Sequence, residues 1–234
     1  MKRGRETKGG LYMHGLCEPC NGLQGRYDTA YGNLCTVLRP FSRTTRGYDP
    51  HHRTSTPGTV FQPGAVARSM LVGAHALTPL LRQFHPDLAT DLLAQQTSIT
   101  MPSDLRLLIA IARGTTARIA GATGGYFVIG PYADRRAGTA TPTIIFNLAE
   151  VYFPPLAWVV TSEPDIALRA GWHDASAWAT YAPEDEHVLS ALVPSLPQVA
   201  HPHHTPLQRD TYIEMFASED AQVTEIVECY NLPR

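Results

Sequence analysis

Two cysteines near the start of the chain restrict its local folding most. Cys17 and Cys20 stand two residues apart in the stretch HGLCEPCNGLQGRYD, and Pro19 stiffens the turn between them. A C-x-x-C turn directs two thiolates at one point, which suits a tetrahedral metal such as zinc. His14 lies three residues before Cys17 and is the nearest candidate for a third ligand. We therefore predict a zinc site formed by Cys17, Cys20 and His14.

The residues after the turn predict a helix. From Asn21 onward, apolar residues recur at intervals of three and four and form one stripe of an amphipathic helix. Pro40 is expected to end this helix. If the helix were continuous from Cys20 to Cys35, fifteen residues at about 1.5 Å each would separate these thiols by roughly 22 Å. Cys35 would then be excluded as a ligand unless the helix breaks at Gly32.

The fourth zinc ligand is not evident in the local sequence. His51 and His52 are candidates if the chain folds back, and a second chain or a segment upstream of Met1 are the other sources. The HPHHTP stretch contains three more histidines, His201, His203 and His204. Alternating histidines on a strand would share a face and bind a metal, but the two prolines favour an exposed loop instead.

The charge is unevenly distributed along the chain. Residues 1–53 contain nine Lys or Arg against four acids, a net charge of +5, whereas the remainder has ten against seventeen, a net charge of −7. A basic start on an acidic body indicates a polyanion contact confined to that start. The alternative is a solvated, mobile arm. The candidate DNA-binding residues are Lys2, Arg3, Arg5, Lys8 and Arg26.

Composition and patterning predict an α+β protein. The chain has 234 residues, of which 44% are hydrophobic and 17% charged, as in folded proteins. We expect a basic zinc-turn and helix segment at 1–40, a linker rich in Thr, Ser, Pro, Gly and Arg at 41–60, and an α+β domain at 61–234. Helices are predicted over 65–84, with Pro63 in the first turn, over 86–95 and within 172–196. Short apolar runs from Ser98 onward predict a mostly antiparallel sheet with the helices on one face, including a hairpin turn at Gly124–Gly125.

Several features bear on location. The chain contains no run of about 18 apolar residues, so no transmembrane helix is predicted. The basic first ten residues are not followed by an apolar segment, so no secretory signal is predicted. Four cysteines, two of them in a C-x-x-C, fit a reducing compartment better than a disulfide framework. We expect a cytoplasmic protein that does not contact a membrane.

The stretch HGLCEPCNGLQGR resembles the second half of the zinc motif of HNH endonucleases, written L-C-x-x-C-N-x-x-x-G. Leu16, Cys17, Cys20, Asn21 and Gly25 match it, while Gln24 stands where that family usually has Lys. The resemblance covers about fifteen residues and implies two zinc ligands followed by a short helix.

The same resemblance implies an incomplete nuclease. An HNH enzyme also needs an upstream C-x-x-C and a β-hairpin whose histidine activates water beside a metal. Only sixteen residues precede Cys17, and His14, their one histidine, is too close to the turn for that role. Any enzymatic activity would be that of a metal-dependent endonuclease whose catalytic half is missing from this chain.

Three functions therefore stay open. The first is a zinc-binding, nucleic-acid-associated protein without a complete nuclease site. The second is a protein-interaction module in which the zinc turn is structural. The third is a thiol–disulfide enzyme using Cys17 and Cys20, which is disfavoured because redox C-x-x-C motifs normally follow a strand, and here a Gly-rich basic segment precedes the motif.

Overall fold

The helices and strands of this protein combine into an α+β fold, as predicted. The computed structural model describes residues 18–42, 53–113, 118–120, 123–128, 142–162 and 171–199. Within these ranges the helices are α1 (Glu18–Ser42), α2 (Pro63–Leu77), α3 (Pro79–Phe84), α4 (Pro86–Leu93), a 3₁₀ helix (Ser176–Thr180) and α5 (Leu189–Leu192).

The described residues form ten strands, all of which follow α1 in the sequence. They are β1 (Arg53–Ser55), β2 (Val60–Phe61), β3 (Leu105–Ala112), β4 (Arg118–Ala120), β5 (Thr123–Val128), β6 (Pro142–Phe153), β7 (Leu156–Ser162), β8 (His173–Asp174), β9 (His187–Val188) and β10 (Ser195–Val199). No helix in the described part of the chain is long and apolar enough to cross a membrane.

One mixed sheet organises these strands. Its order is β1-β10-β3-β7-β6-β4, with β5 also paired to β6 and β8 to β3. The β10–β3 pair is parallel, and the other pairs are antiparallel. Strands β2 and β9 form a separate antiparallel pair. The prediction of a mostly antiparallel sheet is confirmed.

The alternation of side chains along β3 divides the core in two. Leu105, Leu107, Ile109 and Ile111 belong to the main hydrophobic cluster, together with buried residues of α1 and α2. Ala110 and Ala112 point to the opposite face and belong to a smaller cluster with residues of β6, β7 and β10. Successive residues of a strand face opposite sides of the sheet, so the β3 residues that pack with α1 and α2 all lie on one face. Helices α1 and α2 therefore cover that face.

Helix α1 contributes directly to the main cluster. Tyr27, Leu34 and Leu38, three members of the predicted apolar stripe, are buried. The helix continues two residues beyond Pro40, so the prediction that Pro40 ends it was wrong by half a turn. Pro40 lies in the last turn, where the loss of one backbone donor interrupts only the end of the hydrogen-bond ladder.

The predicted linker contains regular structure at its end. Strand β1 pairs antiparallel with β10, and Arg53 donates hydrogen bonds to the carbonyl oxygens of Gly171 and Ser195. Residues 43–52 lie outside the described residues. The described end of this segment is thus held on the sheet by backbone pairing.

Proline explains one departure from the predicted helices. The single helix expected over 65–84 is divided into α2 and α3 at Thr78, whose φ of −143° and ψ of 117° are extended. Pro79 disfavours helical geometry in the residue before it, which accounts for the break. Pro63 occupies the first turn of α2, as predicted.

Two other local predictions were wrong. Gly124 and Gly125 lie inside β5, paired with Phe146 and Ile145, and do not form a hairpin turn. The region predicted as helical within 172–196 contains two short strands, a 3₁₀ helix, one turn of α-helix and the start of β10. In both places pairing with distant strands overrides local propensity.

A substitution at Gly64 would test how closely the chain packs at the start of α2. A Cβ atom built on Gly64 would lie 2.4 Å from the carbonyl oxygens of Tyr181 and Ala182. These are backbone atoms and do not yield cheaply, so we expect Gly64→Ala to lower the free energy of unfolding in urea by about 3 kcal/mol.

Gly32→Ala is the matched control. A Cβ at Gly32 has no atom within 4 Å, and the residue lies inside α1. Alanine is the better helix former, so this variant should gain about 0.5–1 kcal/mol. Equal stability of the two variants would contradict the packing at Gly64.

Candidate functional site

The described residues include few of the predicted site residues. His14, Cys17, Lys2, Arg3, Arg5 and Lys8 lie outside them. Cys20 is the third residue of α1, and its side chain is also outside the described part. Arg26 is described and lies exposed on α1. The predicted zinc and DNA contacts therefore stay predictions.

Cys35 does not belong to the predicted zinc site. Helix α1 is continuous through Gly32, so the separation of roughly 22 Å between the thiols of Cys20 and Cys35 applies. Burial raises the pKa of the Cys35 thiol to about 11, although a hydrogen bond with Tyr31 opposes the shift. This thiol is protonated at neutral pH and is a poor nucleophile and metal ligand.

The described part of the chain holds few of the predicted metal ligands, and it contains no cluster of such groups. Among the residues that the structure describes, no group of three or more His, Cys, Asp or Glu side chains is arranged to hold a metal ion. His51, His52, His201, His203 and His204 lie outside those residues.

A cleft of about 400 Å³ opens beside α1. Four parts of the chain form its walls: α1, the start of α2, the segment after α4, and the turn after the 3₁₀ helix. The lining residues are Arg26, Tyr27, Thr29, Ala30, Gln62, Ala65, Gln95, Thr97, Pro183 and Glu184. Charged, amide and hydroxyl groups thus share the cleft with small apolar surfaces.

A buried arginine connects three of these four walls. Arg68 is 1% exposed, and its guanidinium donates to the carbonyl oxygens of Gly64 and Tyr181 at 2.9 and 2.8 Å. It also donates to the carbonyl oxygens of Gln96 and Thr97 at 2.7 and 2.8 Å. Burial lowers the pKa of Arg68, and the negative charge of Glu184 opposes this shift. We call these four hydrogen bonds the Arg68 bridge.

Gln95 has an unusual backbone conformation at the edge of the cleft. Its φ is +53°, in the left-handed region. The Gln95 and Gln96 amides donate to the carbonyl oxygens of Leu92 and Asp91, which is the Schellman pattern that ends a helix. Glycine is the usual residue here because it alone lacks the Cβ penalty. A glutamine side chain is thus placed in the cleft at a conformational cost of about 1 kcal/mol.

Sequence reasoning missed this cleft, although one signal was present. Arg68 is the only charged residue in the apolar run AVARSMLVGAHAL that forms most of α2. A lone charge within such a run indicates either an exposed face or a buried, fully hydrogen-bonded group. Its partners come from residues 96, 97 and 181, and no local pattern predicts that they meet.

His75, also on α2, is half-buried, and both of its ring nitrogens are shielded from solvent. Neither ring nitrogen has a hydrogen-bond partner among the described residues. Burial lowers the pKa of His75 to about 4, and electrostatic interaction with Arg82 and His85 contributes. The imidazole is therefore neutral at pH 7.

Comparisons with known proteins identify no relative. No protein-family model, curated protein or solved structure matches this chain.

The lowered pKa of His75 should make the protein less stable in mild acid. The unfolded histidine has a pKa near 6.5 and the folded one about 4, so the unfolded state binds the proton more readily between these values. The free energy of unfolding should fall as the pH decreases from about 6.5 to 4, by at most about 3 kcal/mol from this group.

Urea titrations at several pH values measure this effect. His75→Leu should make the free energy of unfolding less dependent on pH across this range, leaving a contribution from His173, whose pKa burial also lowers. An unchanged pH dependence in the variant would contradict the assignment to His75.

Proposed function

We propose that this chain is a zinc-binding protein associated with nucleic acid, with an HNH-like zinc turn and no complete nuclease site. The observation that carries the proposal is the start of α1 at Glu18. The sequence thus has one cysteine directly before the helix and the other in its first turn. This is the order that the resemblance to the HNH zinc motif implies, with two ligands leading into a helix.

The helix terminus supports thiolate chemistry. The amino end of a helix carries a partial positive charge, which stabilises negative groups in its first turn. A thiolate is the form of cysteine that binds zinc, so this position favours binding at neutral pH.

The anchoring of α1 gives such a zinc site a structural role. Leu34 and Leu38 fix the helix in the main core, and Ser69 of α2 donates a 3.0 Å hydrogen bond to Asp28. A metal bound at the start of this rigid helix would orient the basic segment before it. That segment contains Lys2, Arg3, Arg5 and Lys8, whose charges suit phosphate contacts.

Elemental analysis tests the zinc site. The purified protein should contain about one zinc ion per chain, and Cys17→Ser and Cys20→Ser should each lose it. Cys35→Ser is the matched control and should retain the metal, because Cys35 lies too far along α1. A metal-free preparation whose Cys17→Ser variant unfolds at an unchanged temperature would contradict the zinc site.

DNA binding separates this proposal from its alternative, a protein-interaction module with a structural zinc turn. Binding should be measurable at about 50 mM salt and weaken steeply at higher salt, because phosphate contacts release counterions. Replacing Lys2, Arg3, Arg5 and Lys8 with glutamine should abolish it while zinc content stays unchanged. Zinc without DNA binding at low salt would favour the interaction module.

A further inference from the structure

The cleft beside α1 has the chemistry of a ligand-binding site, and it shares one residue, Arg26, with the predicted nucleic-acid contacts. We infer that it binds a small zwitterion of the α-amino acid class, either a free amino acid or a dipeptide. The inference depends neither on zinc nor on DNA.

The charges in the cleft define the ligand class. Arg26 comes from α1 and Glu184 from the turn after the 3₁₀ helix, so one positive and one negative group line the same space. A guanidinium binds a carboxylate through two parallel hydrogen bonds, and a carboxylate accepts hydrogen bonds from an ammonium group. A molecule that carries both charges satisfies both residues. A polyanion would be repelled by Glu184.

The neutral groups of the cleft suit the rest of such a ligand. Gln62, Gln95 and Thr97 provide donors and acceptors for an amide bond or a polar side chain. Ala30, Ala65 and Pro183 provide small apolar surfaces. The volume of about 400 Å³ lies at the lower end of the range for small-molecule sites, which is about 300–1,000 Å³.

Two features indicate that the cleft is preorganised for a ligand. The Arg68 bridge fixes the start of α2, residues 96 and 97, and the turn at Tyr181 relative to one another. Walls held in this way need little ordering when a ligand binds, which favours affinity. Gln95 is the second feature, because its left-handed backbone would be less strained with glycine. Its side chain lines the cleft, and binding would account for its presence there.

Isothermal titration with the full chain tests the inference. The probes are the twenty free L-amino acids and L-alanyl-L-alanine, together with N-acetyl-L-alanyl-L-alanine amide, which lacks both charges, and adenosine monophosphate. We expect at least one zwitterion to bind with a Kd of about 1 mM or tighter, and the capped dipeptide and the nucleotide to bind at least about tenfold more weakly.

Variants assign the binding to the cleft. Arg26→Gln and Glu184→Gln should each weaken binding of the zwitterion by about tenfold, since each removes a charge-assisted contact. Arg39→Gln, on the exposed last turn of α1, and Glu186→Gln, two residues after Glu184, are the matched controls and should bind as the unmodified chain does. Gln95→Gly should weaken binding while raising the temperature of unfolding.

The inference is overturned if no zwitterion binds in the millimolar range, or if the capped dipeptide binds equally well. Tighter binding of adenosine monophosphate, or unchanged affinity in both charge variants, would overturn it as well. A Gln95→Gly variant that is more stable and binds normally would show that Gln95 takes no part in binding.

Discussion

The guanidinium of Arg68 binds backbone carbonyl oxygens from three separate parts of the chain. A charged side chain that is 1% exposed needs hydrogen-bond acceptors, because an isolated charge in a protein interior is costly. Here four backbone carbonyl oxygens accept hydrogen bonds from Nη1 and Nη2, while Nε has no partner among the described residues. These carbonyls belong to residues 64, 96, 97 and 181, so the solvation of one side chain fixes the geometry of three segments.

Other features of the region depend on this arrangement. The backbone at Tyr181 and Ala182 approaches α2 so closely that residue 64 has no space for a Cβ atom. The Schellman turn at Gln95 directs the chain from α4 to the Gln96 and Thr97 carbonyl groups that Arg68 binds. Helix α1 forms the remaining wall and is held by its own burial in the main core. The cleft is therefore the space left between these four parts of the chain.

The sequence predicted the parts of this fold that depend on local patterns. The apolar stripe of α1, Pro63 at the start of α2 and the apolar runs of β3, β6 and β7 were sufficient for the α+β class and for helices on one face. The predictions that were wrong depend on distant partners. Gly124 and Gly125 are in a strand because β6 provides the pairing, and the region around residue 173 pairs with β3.

The candidate site could be predicted from sequence only where its residues are close together in the chain. The two cysteines of the C-x-x-C lie close together by covalent spacing, so a pattern reveals them without any fold. Arg26 and Glu184 are 158 positions apart in the chain and line one cleft only because the fold brings them there. Arg68 was visible as a lone charge in an apolar run, but its function as a bridge required the structure.

The stability of the Arg68 bridge is the most direct test of this account. Arg68→Met retains most of the apolar volume and leaves the carbonyl groups without their donors, so the free energy of unfolding should fall by about 3 kcal/mol. Amide hydrogen exchange should increase around residues 95–99 and 181–185, while the middle of α1 is less affected. Arg82→Met, on the exposed side of α3, is the matched control and should change neither quantity. Unchanged stability and exchange in Arg68→Met would contradict the central place of this side chain in the fold.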